Sequence, residues 1–254
     1  MLLVFGGTTE GKRAATALSA AGRTFVYSTK LPVVMPALPG MRLRHGPLTA
    51  ELMVQFCHTE NIRGIVNASH PFAEVLHATV AKAAASLSLP VWRFERRYPA
   101  RDLTARWLSY APSFPDAIVT LNKLGRAPLL AFTGVQTIAK LRPWWERNLT
   151  YFQILNRPDS FALALSLGIP RGQLFAQAPA TEPAMLAQTI REHRIHVLIT
   201  KESGDSGFQS VKEQAAVLTE TPLLIVERPA CPASFIPIHG ETELLAVLSK
   251  EVPV

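Results

Sequence analysis

Cysteine is scarce in this chain: Cys57 and Cys231 are the only two, far apart in 254 residues. That excludes a disulfide framework and fits a reducing compartment. Long apolar runs are also missing, since nothing approaches the ~18 consecutive apolar residues that span a bilayer. The opening Met1-Leu2-Leu3-Val4-Phe5-Gly6 has neither the basic region nor the small-residue cleavage site of a secretion signal. A cytoplasmic location is therefore expected. Carboxylates are in the minority, 19 against 26 basic residues, for a net charge of +7. Such a balance favours anionic partners. With no Lys/Arg-rich tail and no recognisable nucleic-acid module, a small anionic ligand is expected ahead of nucleic acid. The seven histidines show no metal-ligand spacing supported by cysteines or carboxylates, so no metal is expected.

Apolar residues make up 48% of the chain, which is a globular composition. The first eleven residues organise the rest. Leu2-Leu3-Val4-Phe5 is wholly apolar, as a buried parallel strand is. It breaks into Gly6-Gly7-Thr8-Thr9-Glu10-Gly11, and a helical pattern follows on Ala14, Ala15, Leu18 and Ala21, stopped by Gly22. Strand, glycine turn and helix form the first half of a nucleotide-binding βαβ unit. The match to G-x-G-x-x-G is incomplete: Gly6 and Gly11 fit the outer positions, but Thr8 stands at the middle glycine. Similar turns occur in α/β proteins that bind nothing there. The Thr8 and Thr9 hydroxyls can cap the helix or reach a phosphate.

Alternation continues along the chain. Thr24 to Tyr27, Gly64 to Ala68 and Leu89 to Phe94 read as strands, Leu31 to Gly40 as a proline-rich loop, and Glu51 to Glu60 as a short helix. A longer helix is expected from Pro71, with Phe72, Val75, Leu76, Thr79, Val80, Ala83 and Leu87 on its buried stripe. A strand near Trp107 to Tyr110 joins the halves. The pattern then restarts at Pro128 to Phe132, with Thr133-Gly134 opening a short helix, and runs through strands at 151–155, 174–176, 196–200 and 223–226. The fold class this predicts is α/β, two Rossmann-like domains with mostly parallel sheets and a cleft between them. The expected domains are 1–110 and 111–254, with the boundary between about 99 and 125.

Parallel sheets bind ligands at the carboxyl ends of their strands. At the end of the second strand stand Ser28, Thr29 and Lys30, with no carboxylate for a ribose 2′-hydroxyl. Hydroxyls and an ammonium suit a 2′-phosphate, so a dinucleotide bound here is expected to be NADP(H), unless this is an ordinary polar strand end. Asn67-Ala68-Ser69-His70-Pro71-Phe72 ends another strand, and His70 can donate a proton or hold an anion, or be structural. Thr200-Lys201-Glu202-Ser203-Gly204-Asp205-Ser206-Gly207 is the matching place in the second half, followed by a helix carrying Lys212. Lys201 there can bind a carboxylate or phosphate as a point charge. Gly204-Asp205-Ser206-Gly207 has the wording of a chymotrypsin-like nucleophile region, but those proteases are all-β and this chain is not. Arg93, Arg96, Arg97, Arg101 and Arg106, interleaved with Phe94, Tyr98 and Trp107, fit a wall for a flat polyanion. They fit single-stranded nucleic acid or a solvated edge equally well.

Together these motifs resemble the precorrin-6A reductases of cobalamin biosynthesis. The resemblance rests on Gly6 to Gly11, Asn67 to Ala73, Thr133-Gly134, Lys201 to Gly204 and Val226-Glu227-Arg228-Pro229, in that order over nearly the whole chain. It implies reduction of one double bond of precorrin-6A, or of cobalt-precorrin-6A, by hydride from nicotinamide C4, with NADPH as cofactor and NADH possible. It implies cofactor contacts from Gly6, Gly7, Thr8, Thr9, Glu10, Gly11, Ser28, Lys30 and Ser69. It implies catalytic roles for His70, Lys201 and Glu202, and substrate contacts from Lys12, Arg13, His70, Lys201, Ser203 and Gly204. Two positions depart from the family pattern: Asn67 stands for an aspartate, and Lys12, followed by Arg13, stands for an arginine. The alternatives are an NADP-dependent reductase of another small anion and a non-catalytic nucleotide- or RNA-binding α/β protein.

Overall fold

The computed structural model describes residues 1–251. The chain divides into two units, Met1–Arg97 with the segment from Pro229 onward, and Tyr98–Arg228. The first contains β1 (Leu2–Phe5), α1 (Thr9–Ala20), β2 (Phe25–Thr29), β3 (Met41–His45), α2 (Ala50–Thr59), β4 (Gly64–Asn67), α3 (Glu74–Leu87) and β5 (Val91–Phe94). The second contains β6 (Leu108–Ala111), α4 (Phe114–Leu124), β7 (Leu129–Phe132), α5 (Arg142–Trp145), β8 (Thr150–Ile154), α6 (Pro158–Ser166), β9 (Leu174–Ala176), α7 (Pro183–Glu192), β10 (Val197–Lys201), α8 (Gln209–Thr219) and β11 (Leu223–Val226). The chain then returns to the first unit with β12 (Ile236–Ile238) and α9 (Glu241–Glu251).

Each unit is built on a six-stranded parallel sheet, ordered β3-β2-β1-β4-β5-β12 in the first and β9-β8-β7-β10-β11-β6 in the second. The order reverses between β1 and β4, and again between β7 and β10, which are the switch points where such sheets take ligands. The sixth strand of each sheet comes from outside its run. β6 follows β5 in sequence but pairs with β11, while β12 follows β11 but pairs with β5. The expected second domain, continuous to the C-terminus, is corrected by this exchange. Residues 98–110 belong to the second unit, and the last segment belongs to the first.

Burial on both faces explains the apolar strands. Leu2 and Val4 of β1 pack with α1 and α9 residues such as Leu18 and Leu244, whereas Leu3 and Phe5 pack with α2 and α3 residues such as Met53 and Val80. Thr8, Thr49 and Ser113 cap α1, α2 and α4 by accepting from the N–H groups of Gly11, Leu52 and Asp116. The helix expected from Pro71 begins instead at Glu74, because residues 71–72 form a turn closed by the Ala73 N–H on the His70 carbonyl at 2.9 Å. Its buried residues are His77, Val80, Ala83 and Ala84, and Val75 is 83% exposed. The short helix after Gly134 is a series of single turns ending in α5. No helix among the described residues is long and apolar enough to cross a membrane, and both cysteines are free thiols.

Candidate functional site

In the first unit the carboxyl ends of β1, β2 and β4 lie side by side, Phe5 pairing with Ser28 on one side and Asn67 on the other. The turn after β1 is shaped by Tyr27, whose ring is fully buried beneath it. A Cβ on Gly6 would fall on that ring, and one on Gly11 would meet Gly6 Cα at 2.7 Å and Tyr27 Oη at 2.8 Å. These two glycines therefore let strand, turn and helix close on each other. Gly7 differs: it is exposed, has φ +85°, and its Cβ position is open apart from Thr29 Cγ2 at 3.8 Å. Its N–H donates to Tyr27 Oη at 2.9 Å. Thr8 ties the turn to β4, its hydroxyl donating to the Ala68 carbonyl at 2.6 Å while accepting from the Gly11 N–H at 2.9 Å. Thr9, exposed in the first turn of α1, lies at the end of the helix that attracts anions. Backbone room at Gly7 and an open helix end fit a dinucleotide pyrophosphate.

Glu10, in the same loop, turns inward. Its carboxylate is buried against Arg96 Nε at 3.1 Å, inside the first unit. Arg13 makes a two-pronged pair with Glu241, at 2.6 and 2.7 Å, tying α1 to α9. Lys12 is exposed on the first turn.

At the next edge Ser28 is buried and accepts from Arg44 Nη1 at 3.1 Å. Arg44 also donates to the Gly46 carbonyl at 2.6 Å and lies over the Phe56 ring, 5.6 Å from its centre. Its pKa is lowered by partial burial. Thr29 Oγ1 meets His45 Nδ1 at 3.1 Å, and Lys30 is exposed. Ser28, Lys30 and Arg44 thus gather at one strand end without a carboxylate. Sequence reasoning misses Arg44 because β3, Met41-Arg42-Leu43-Arg44-His45, is a mostly exposed edge strand with little apolar signal.

At the end of β4 the polar groups turn inward. Asn67 Oδ1 accepts from the Ser69 hydroxyl at 2.6 Å and from Arg93 Nη1 at 3.1 Å, and Ser69 Oγ is 3.2 Å from His77 Nε2. Arg93 also pairs with Glu95 at 3.2 Å. Burial, then the neighbouring Arg93 guanidinium, pushes His77 down to about 4, so its ring is neutral. Ser69 is committed to this buried network. His70 stands at the rim, half-buried, and its Nδ1 accepts from the Phe72 N–H at 3.1 Å. In the neutral ring the proton is then on Nε2.

In the second unit Lys201 ends β10, its Nζ 4.0 Å from where a Cβ on Gly134 would stand, just past β7. Glu202 next to it is held by two arginines. Its buried carboxylate takes Arg101 through Nε and Nη2, both at 2.9 Å, the Arg228 N–H at 3.0 Å and Arg228 Nη1 at 3.0 Å. Burial alone pushes its pKa up, and these donors outweigh that and hold it below the ordinary carboxylate range. Ser203 is buried, and the Gly204 N–H donates to Gln209 Oε1 at 3.0 Å. The arginine wall is corrected in part: Arg93, Arg96 and Arg101 are paired with Glu95, Glu10 and Glu202, whereas Arg97 is exposed and Arg106, also exposed, lies over Trp107.

Two doubly wound parallel sheets, one opening with a glycine turn beneath a helix N-terminus, define a Rossmann-like α/β protein, an architecture whose ligand sites lie at strand ends. The family model described as Precorrin-6x reductase CbiJ/CobK matches residues 1–248. The chain belongs to that family and is an oxidoreductase of cobalamin biosynthesis. It is similar to the cobalt-precorrin-6A reductase of Priestia megaterium, 28% identical over 237 residues, covering 90% of this chain and 91% of that one. It is 30% identical over 236 residues to the precorrin-6A reductase of Rhodococcus erythropolis, covering 91% and 90%. The solved structure described as CobK precorrin-6A reductase shares the fold, with a TM-score of 0.77 at 21% identity over 99% of this chain and 97% of that one.

Proposed function

We propose that the chain reduces one double bond of precorrin-6A, or of cobalt-precorrin-6A, to the dihydro product, using NADPH in the cytoplasm. The observation that carries the reading is the family match across residues 1–248, which takes in the glycine turn and the Lys201 edge. The cationic end of β2 and β3, with Arg44 bonded to Ser28, supports NADPH over NADH. In this reading Gly7, Thr9 and the first turn of α1 hold the pyrophosphate, and Ser28, Lys30 and Arg44 hold the 2′-phosphate. The bound nicotinamide supplies a hydride equivalent.

The protein's own work is to bind, orient and protonate. Lys12 of the first unit and Lys201 of the second each suit a substrate carboxylate, and holding the reacting carbon at near-attack distance supplies much of the rate. His70 is the rim group able to give a proton from Nε2 to the carbon next to the one reduced. Glu202, Glu10, Arg13 and Ser69 have no direct part, because their polar atoms serve contacts within their own units. The RNA-binding alternative is weakened because Arg93, Arg96 and Arg101 are held in ion pairs. Anaerobic incubation of the protein with precorrin-6A and NADPH tests the proposal. The expected result is a loss of NADPH absorbance that depends on the tetrapyrrole, and its absence with both precorrin-6A and the cobalt complex would refute it.

A further inference from the structure

Lys212 is a buried ammonium that forms no ion pair within 4 Å among the described residues. It lies in the first turn of α8, 8% exposed, donates to the Gly207 carbonyl at 2.7 Å and sits 5.4 Å from the centre of the Phe132 ring. A buried lysine without a counter-ion is expensive to keep charged. Here a second ammonium, Lys201, adds to the cost instead of relieving it. Glu213 offsets only part of that cost, since burial and Lys201 outweigh its attraction. Glu213 is half-buried and accepts from Gln209 Nε2 at 2.9 Å, while Glu202 beyond it is held by Arg101 and Arg228. Tyr110 is the remaining titratable neighbour of those two carboxylates. A further polar group at the same strand ends lacks a partner: the Thr133 hydroxyl, in a residue 1% exposed, makes no hydrogen bond. Thr133 immediately follows β7, and Gly134, next in the chain, lies against the Lys201 head. The carboxyl ends of β7 and β10 therefore carry two cations and an idle hydroxyl at a switch point.

We propose that Lys212 is the buried second cation of an anion subsite at the carboxyl ends of β7 and β10, that its occupant is a carboxylate of the substrate rim, and that occupation is coupled to proton uptake by Lys212. The inference deepens the reading of the Lys201 edge given above and rests on it. Burial first, then Lys201, lowers the Lys212 pKa to about 7. In the ligand-free protein the lysine is thus part neutral at physiological pH. An entering carboxylate supplies the missing negative charge, and Nζ takes a proton from solvent and keeps it. If Lys212 served only to satisfy the Gly207 carbonyl, ligand affinity would not track its charge.

The test uses uroporphyrin, an octacarboxylate porphyrin whose acid groups are already ionised above pH 6, and follows its fluorescence during titration with the full chain. Wild-type affinity is expected to fall about tenfold from pH 6.5 to pH 8.5, the sign for a cation discharged in that window. Lys212→Met should bind weakly and Lys212→Arg tightly, both without the pH slope. Thr133→Val should weaken binding and keep the slope. An affinity in the wild type that ignores pH, a slope that survives in Lys212→Met, or no porphyrin binding at all would overturn the proposal. Thermal melts identify any variant that fails to fold, and Lys212→Arg and Thr133→Val then carry the test. Precorrin-6A-dependent NADPH oxidation is read on the same preparations. Its absence beside intact, pH-linked porphyrin binding would remove the reductase reading and leave the subsite, so the two failures are distinct.

Discussion

Gly6 and Gly7 are neighbours in one turn, yet alanine at each should damage a different property. At Gly6 the new methyl would land on the Cζ and Oη atoms of Tyr27, a ring with no exposed surface. The ring cannot retreat freely, because Gly11 and Gly6 Cα close the space on the helix side. Overpacking of this kind costs ~1–3 kcal/mol, and a rigid, enclosed ring argues for the upper end. In a chain of this size each kcal/mol lowers the melting temperature by ~2–4 °C, so Gly6→Ala should melt ~6–12 °C early. At Gly7 there is room, and the penalty is the left-handed backbone, about 1 kcal/mol for a residue with a Cβ, or ~2–4 °C. Its methyl would instead project into the space left open for a phosphate.

The assay pairs a thermal melt with NADPH titration followed by nucleotide fluorescence. Gly6→Ala should show the larger loss of stability, and Gly7→Ala, measured well below its melting point, the larger loss of affinity, about tenfold or more for a blocked phosphate contact. A double-mutant cycle checks the cause. Tyr27→Leu removes the atoms a Gly6 methyl would strike, so Gly6→Ala should cost ~1–3 kcal/mol less in that background. A Gly6→Ala protein melting within ~2 °C of wild type would refute the packing argument. So would equal costs in the two backgrounds.

Three other outcomes are expected. Glu202→Gln should destabilise the second unit by ~1–2 kcal/mol, below the usual figure for a broken buried pair because Arg101 and Arg228 are 37% and 38% exposed and partly solvated; urea unfolding measures it, and turnover by the folded fraction should persist. Since Glu202 is held below its ordinary pKa in the fold, its stabilisation is present above pH ~4.5 and is lost as pH falls through the folded value. Arg44→Ala should weaken NADPH binding by about tenfold or more and leave NADH binding nearly unchanged, since only the former carries the 2′-phosphate; equal losses in fluorescence titrations would remove Arg44 from that role. His77, neutral in the fold at about 4 against an ordinary 6.5, stays unprotonated while the unfolded chain takes up a proton. Stability should therefore drop as pH falls from about 6.5 to about 4, by up to ~3 kcal/mol, and His77→Gln should flatten that limb of a urea-midpoint profile.

The apolar parallel strands are legible in the sequence because burial on both faces demands an unbroken hydrophobic run, as at Leu2 to Phe5 and Leu223 to Val226. The edge strands are not. β3 carries two arginines and a histidine on mostly exposed positions, and β12 is three residues with a central proline, which only an edge tolerates. The exchange of β6 and β12 is invisible for another reason. Local pattern says that a segment is a strand but not which sheet receives it, and Leu108 to Ala111 would alternate equally well beside β5. The start of α3 is misread because Pro71 suits a first helical position, whereas the His70 carbonyl takes the Ala73 N–H and delays the helix to Glu74.

Charged residues at the candidate site divide along the same line. Position at a strand end says that a side chain is near the ligand edge, and that much is readable for Lys30, His70 and Lys201. Whether its charge is available depends on partners distant in sequence. Glu202 and Lys201 are adjacent, and each would pass for a catalytic group. Yet Glu202 is neutralised by Arg101, 101 positions earlier, and by Arg228, 26 later. Lys201 turns to Gly134 across the β7–β10 pairing. Lys212 reverses the pattern, since it reads as an ordinary solvated lysine on a helix and is instead buried beside Phe132, hydrogen-bonded to the Gly207 carbonyl. Desolvation makes the difference: an exposed ammonium tolerates any neighbour, whereas a buried one must find an anion or lose its proton. Among the described residues Glu213 supplies only part of that negative charge, which is why a substrate carboxylate is the proposed partner.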